Sequence, residues 1–599
     1  MNRVISASLV LTALLFGQTV NAQQQPADAP PAAAADAGAT RAGTITGRVV
    51  LSEGNRPLAN VLVIARTPGR AGAAALTATT DEEGNFELRG LPPAAYQLLV
   101  AAAGYITEQS QAYTPPAYYR AGDQVTLRML KGGVITGRVL NANGEPLVLA
   151  RVRAARVADA EGRPVRDPGL TRDWFTDDRG FYRLYGLEPG SYLVAANTHG
   201  GYRASPSKFR ATPGQGGDEG PTYYPSASVG GATPVLVRGG EEARGIDIRY
   251  RNERTYAVRG VVVAAGNAAP GATTNAPPAG TFVSIRLLDA ATGVPVVFAS
   301  LPARSTGTVF NFDGVPEGVY DLTAQRGFGT EAAAVATPRR LTVRGGDLTG
   351  VELSLAPLGS VAGRLVLEDV RAAAGGADRP AVALTETLVS ARRDAAPDKA
   401  TTNARAAQPA SEGQPDARGE FVLPNLYEGR YLFDLRLPGE SIYVRAIALA
   451  AAATPKAATD VARNGLALKA GERVQGLTIT LAGGAASVRG RVAAAGEGAA
   501  LPARLHVYAV PVEAARADDV LRYATAAVQP DGSFAALNLA PGRYWLVARV
   551  VETEPAAVVR DAATRLQLRR AAESANALVE LQPDQRVADY ELRLTSGSN

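Results

Sequence analysis

The stretch Asp81-Glu82-Glu83-Gly84-Asn85-Phe86-Glu87-Leu88-Arg89-Gly90-Leu91-Pro92-Pro93-Ala94-Ala95-Tyr96 reads as a tight turn, a short strand, a second turn and the start of another strand. Asp opens such turns with its side chain, and Gly takes the positive φ they require. Phe86 and Leu88 stand two apart, so they share one strand face and point inward. Four further versions follow. Asp177-Asp178-Arg179-Gly180-Phe181-Tyr182-Arg183-Leu184 leads to Leu187-Glu188-Pro189-Gly190-Ser191-Tyr192, and Asp416-Ala417-Arg418-Gly419-Glu420-Phe421 leads to Leu426-Tyr427-Glu428-Gly429-Arg430-Tyr431. Asp531-Gly532-Ser533-Phe534 precedes Leu539-Ala540-Pro541-Gly542-Arg543-Tyr544, and a degenerate version keeps Phe310, Val315-Pro316-Glu317-Gly318 and Tyr320.

Each version lies downstream of an alternating strand with a central glycine: Gly47, Gly137, Gly260, Gly363 and Gly490. Glycine inside a strand permits close backbone approach or a bulge. Each ends on an alternating closer such as Val125-Leu127-Met129 or Leu477-Ile479-Leu481. Many short strands with regular turn signals predict all-β sandwiches, and the glycine spacing is the size of one small domain. The expected organisation is a signal peptide at 1–22 and an Ala/Pro-rich disordered linker at 23–42. Five sandwiches follow: unit one at 43–131, unit two at 132–254, a degenerate unit three at 255–357, unit four at 358–483 with a long insertion, and unit five at 484–596. Gly200–Gly231, Ala264–Gly280 and Ala372–Pro415 lack apolar periodicity and are expected as surface loops. Val559, Ala562, Ala563 and Leu566 predict one short helix over Ala557–Ala572.

Arg3 followed by the apolar run Val4–Phe16 and the small-x-Ala site Val20-Asn21-Ala22 predicts export. The run is too short to anchor in a bilayer, and no later apolar run reaches about 18 residues. The 599-residue chain contains no Cys, so each domain must hold by its apolar core alone. A formal charge of +5 without any Arg cluster argues against nucleic acid as a partner.

The Gly-Arg-Val opening (Gly47-Arg48-Val49), a Gly-x-Pro turn and Thr80-Asp81-x-x-Gly84-x-Phe86-x-Leu88-x-x-Leu91-Pro92-x-x-x-Tyr96 together resemble the carboxypeptidase regulatory-like domain. The resemblance runs from about Gly43 to Leu594. It implies a tandem array of about five Greek-key, transthyretin-like (prealbumin-like) β-sandwiches, related to repeat domains of Gram-positive collagen adhesins and usually non-catalytic. Such modules occur in tandem in large exported bacterial proteins.

His199 and His506 fall in different units, and neither begins a His-Glu-x-x-His pattern, so three zinc ligands in fixed geometry are not expected. No Gly-x-Ser-x-Gly elbow and no phosphate-cradling glycine loop is present. No catalytic, cofactor or metal residue is therefore expected. The acidic turns read as capped turns, with calcium as the alternative. Tyr96, Tyr192, Tyr320, Tyr431 and Tyr544 read as tyrosine corners, with ligand stacking as the alternative. Aromatics outside the repeat are the ligand-site candidates: Tyr113, Tyr118, Tyr119, Trp174, Tyr202, Tyr223 and Tyr224, with Tyr105 and Phe175 beside them. Packing between units one and two is the competing explanation. The expected function is a non-catalytic, adhesion-like binding protein of the bacterial cell envelope, with carbohydrate or an envelope protein as partner. It would be periplasmic, outer-membrane-associated or extracellular. The alternative is a structural periplasmic scaffold without a small ligand.

Overall fold

The computed structural model describes residues 43–68, 75–108, 117–165, 174–197, 220–251, 253–264, 280–304, 307–327, 333–368, 383–394, 411–449, 459–494, 501–502, 504–550 and 559–594. The signal and linker expectations lie outside these residues. The regular structure of the described chain is nearly all strand, folded as a series of β-sandwiches.

The opening strand of each unit lies between two partners. Gly43–Leu51 pairs antiparallel with Asn85–Leu91 and parallel with Gln124–Lys131. Gly133–Leu140, Thr255–Ala264, Gly359–Leu367 and Ala486–Ala493 repeat the arrangement with their own partners. This parallel pairing of first and last strands requires the chain to cross to a second sheet in between, as in a Greek key. In unit one that second sheet is Leu76–Thr79, Leu62–Arg66 and Gln97–Ala101. Unit three departs from the pattern. Its strand Ala334–Ala336 pairs with both Gly318–Arg326 and Leu348–Pro357, joining the two sheets into one.

The central glycine sits opposite an aromatic each time: Gly47 with Phe86, Gly137 with Tyr182, Gly260 with Phe310, Gly363 with Phe421 and Gly490 with Phe534. A Cβ at Gly47 would stand 2.7 Å from Phe86 Cζ and collide with the carbonyl oxygen of Val125. No side chain fits there.

Between the sheets, five large apolar clusters among the described residues are each drawn from one stretch, spanning Ile45–Met129, Ile135–Tyr250, Tyr256–Leu355, Val361–Leu481 and Ala486–Leu592. Junctions between successive strands are short: Gly132 alone separates Lys131 from Gly133, and Leu358 alone separates Pro357 from Gly359. Such junctions restrict the neighbouring units.

The repeated polar residues serve the backbone. The hydroxyls of Tyr96, Tyr192, Tyr320, Tyr431 and Tyr544 each donate to the carbonyl four residues earlier, at 2.8, 2.8, 2.9, 3.1 and 2.7 Å. Burial pushes the Tyr192 hydroxyl up to about 12. Asp81, Asp177, Asp416 and Asp531 each accept from amides within their own turn, at 2.7–3.0 Å. Gly84, Gly180, Gly419 and Gly532 have φ of 79°, 69°, 81° and 84°. No group of three or more His, Asp or Glu is placed to hold a metal among the described residues. Tyr544→Phe leaves the Ala540 carbonyl buried without its donor, so unit five should lose about 1–2 kcal/mol in chemical denaturation. An unchanged unfolding midpoint would show that the corner contributes nothing.

Two sequence expectations need correction. The insertion expected over Ala372–Pro415 contains a core strand, Leu388–Arg393, paired with Gly429–Arg436, and Val389 is fully buried. Likewise the end of the loop expected over Gly200–Gly231 forms the strand Thr222–Tyr223, with both residues buried. Both segments are short, too brief to register as periodic. The predicted helix spans Ala562–Ala575. It buries Arg565, Leu568 and Ala572, whereas Leu566 is 50% exposed.

Candidate functional site

Among the described residues, the sequence-derived aromatics do not form one surface. Tyr113 and Tyr202 lie outside the described residues. Tyr223 is buried, packed with Ala155 and Leu193 of unit two and Val294 of unit three. Tyr224 is half-buried against the unit-two core. Tyr119 pairs through its backbone with Tyr96, and burial pushes its hydroxyl up, helped by Asp123. Tyr118 faces unit four, where its hydroxyl donates to Glu412 at 2.5 Å under the guanidinium of Arg436. The packing explanation thus applies to Tyr118 and Tyr223, but between other units than one and two.

Trp174 also packs, half-buried, against the unit-two core, at its edge. The two-residue strand Trp174–Phe175 pairs with the edge of Arg151–Ala158 and lies beside Phe181–Leu187 of the opposite sheet. Along Phe181–Leu187, Tyr182 and Leu184 point into the core, so Arg183 and Tyr185 point outward. Trp174 meets Tyr185 edge-on with ring centroids 4.6 Å apart, and Arg183 lies 5.6 Å over the Tyr185 ring. Both rings remain partly exposed. In the same sheet, Thr136 Oγ1 donates to Glu242 Oε1 at 3.1 Å, and Arg244 pairs with Glu242 at 3.3 Å. The Thr136 hydroxyl, with Arg244 and Arg183 nearby, holds the Glu242 carboxyl below the usual range. The result is a two-ring platform flanked by a carboxylate and guanidinium groups at one edge of unit two. Sequence reading included Trp174 but missed Tyr185, because Tyr185 stands inside the repeated strand where Arg89 stands in unit one.

The corresponding face of unit one is an open cleft of about 1020 Å³ lined by Thr46, Arg48, Thr77, Thr79, Glu87 and Arg89, among others. It carries polar side chains where unit two carries rings. The two units share a scaffold and differ in what they present on it.

These observations define an all-β, tandem-sandwich protein. Residues 44–128 and 134–219 each match the family model of the carboxypeptidase regulatory-like domain. Among solved structures the protein is similar to GBS52, the minor pilin of the Gram-positive pathogen Streptococcus agalactiae, at 15% identity and TM-score 0.19, over 35% of this chain and 96% of that one. It is also similar to a streptococcal ancillary pilin, at 13% identity and TM-score 0.15, over 53% of this chain and 100% of that one. The BcpA major pilin subunit of Bacillus cereus matches at 9% identity and TM-score 0.13, over 52% and 99% of the two chains. At these TM-scores the likenesses carry no argument about function. Nothing among curated proteins matches the chain.

Proposed function

We propose that this is a non-catalytic, exported binding protein of the bacterial cell envelope, and that the Trp174–Tyr185 face of unit two takes a saccharide. The observation that carries the reading is the partly exposed ring pair with Arg183 over Tyr185 and the Glu242 carboxylate on the same sheet. Sugar rings stack their C–H faces on aromatic rings, and their hydroxyls bond to adjacent carboxylates and guanidinium groups. The repeated residues are occupied within each sandwich by turns, corners and core, which leaves variable faces such as this one for recognition.

Glycan-array screening of the full chain, followed by titration of any hit, tests the reading. Binding should quench Trp emission and weaken at least about tenfold in Trp174→Ala and in Tyr185→Ala. Absence of any glycan hit, or a hit indifferent to both substitutions, overturns it. The second reading, a structural spacer without a small ligand, is favoured by the one-residue junctions Gly132 and Leu358.

A further inference from the structure

We propose that the contact between unit one and unit four is a reversible latch that covers the Tyr118 face of unit one. Three hydrogen bonds and a cation–π contact make it. Tyr118 Oη donates to Glu412 Oε2, Arg120 Nη2 to the Leu437 carbonyl and Gln414 Nε2 to the Ala95 carbonyl, each at 2.5 Å. Arg120 Nε lies 3.9 Å from Glu386, and Arg436 stands 4.9 Å over the Tyr118 ring. The partners are some 270 to 320 residues apart in sequence, so no junction holds them together locally.

No apolar cluster among the described residues spans this contact. Val294 of unit three packs with Leu193 and Tyr223 of unit two, and Leu521 of unit five packs on the core of unit four. Units one and four share no such cluster. Polar contacts that no such cluster backs gain little, because each charge must be desolvated to make them. Two features show that cost. Arg120 Nε is buried without a hydrogen-bond partner. Burial pushes the Glu386 carboxyl up, with Arg120 pulling the other way and Asp123 adding to the rise. The closed form therefore lies near balance with an open one. Opening would uncover the Tyr118 phenol, the Arg120 guanidinium and the Ala95 carbonyl together.

The proton linkage has one sign at both titrating groups. Burial and the neighbouring Glu412 raise the Tyr118 hydroxyl, against the opposing charge of Arg436, so closure favours the protonated phenol as it favours the protonated Glu386. A group held protonated on closing makes the closed form weaker as pH rises through its ordinary range. Glu386 acts from its ordinary carboxylate range upward, and Tyr118 acts above the ordinary phenol range.

The chain has no Cys, so Glu82→Cys in unit one and Ala470→Cys in unit four, both exposed, can carry a donor and an acceptor dye on the full chain. Energy transfer should change in the opening direction when NaCl rises to about 1 M, since screening weakens the charged contacts. Tyr118→Phe should move it the same way and raise the open-to-closed ratio about tenfold. Glu386→Gln should move it the opposite way, because it removes a charge that closure desolvates. Transfer unmoved by salt and by both substitutions overturns the latch and makes the contact a fixed interface. If Tyr118→Phe disturbs folding, the salt response of the labelled parent and the sign of Glu386→Gln still decide.

Discussion

Gly490→Ala is expected to lower the stability of unit five by about 3 kcal/mol or more, because overpacking against backbone cannot relax as a side-chain contact can. A Cβ at Gly490 would collide with the carbonyl oxygen of Tyr590, with the Tyr590 Cβ only 2.9 Å away. Both neighbours belong to the last strand of the unit, paired in parallel with the first. Moving that strand outward would break the register that closes the sandwich. The chain has two tryptophans, Trp174 in unit two and Trp545 in unit five, so a Trp174→Phe background leaves Trp545 as the only tryptophan reporter. Urea unfolding followed by its emission should show an earlier midpoint at an unchanged slope. An unchanged midpoint would mean that the strand can move aside, and the glycine rule would fail for this unit. The same argument applies to Gly47, Gly260 and Gly363, where the opposing phenylalanine ring adds a second obstacle.

Leu568→Ala should cost about 3 kcal/mol, whereas Leu566→Ala should change stability by no more than about 0.5 kcal/mol. The helix Ala562–Ala575 covers the outer face of a sheet whose inner face already packs the unit-five core. Leu568 and Ala572 are fully buried there with Tyr508, Val510, Trp545 and Val547. Arg569 adds to the cover, lying 5.2 Å over the Trp545 ring. Asp561 caps the helix by accepting from Thr564 N at 2.7 Å, and Asn576 ends it with φ 49°. Leu568→Ala should therefore also shift Trp545 emission to the red as the helix loosens. Equal costs at Leu566 and Leu568 would place the helix in a different rotation from the one described.

That pair of leucines shows where sequence pattern runs out. Helical spacing over Val559, Ala562, Ala563 and Leu566 identifies a helix but selects the wrong face. Arg565 and Arg569 lie on the buried side and blur the apolar stripe. Arg565 is 5% exposed, its charge met by the carbonyls of Val559 and Arg560 and by Asp518. Hydropathy cannot credit a buried guanidinium whose partners come from other elements.

The candidate site was legible in part. Trp174 stands out because tryptophan is rare in this chain and lies outside the repeat. Tyr185 does not, because its outward direction follows from strand register and its partner lies 11 positions away on another sheet. Tyr118 and Tyr223 looked alike in sequence. Their surroundings come from unit four and unit three, which no local pattern can indicate.

The sequence by itself determined the repeated unit: the turn, the inward Phe-x-Leu pair, the central glycine and the tyrosine that bonds four residues back. These are local or nearly local requirements, set by strand period, by the φ a turn demands and by hydrogen bonds within a few residues. Tertiary structure alone decided which outward faces stay open. In unit one Thr77, Thr79, Glu87 and Arg89 leave a polar cleft, in unit two Trp174 and Tyr185 line the equivalent place, and Tyr118 is covered from some 290 residues away. Exposure depends on which remote surfaces meet, and that is a property of the folded chain rather than of any stretch within it.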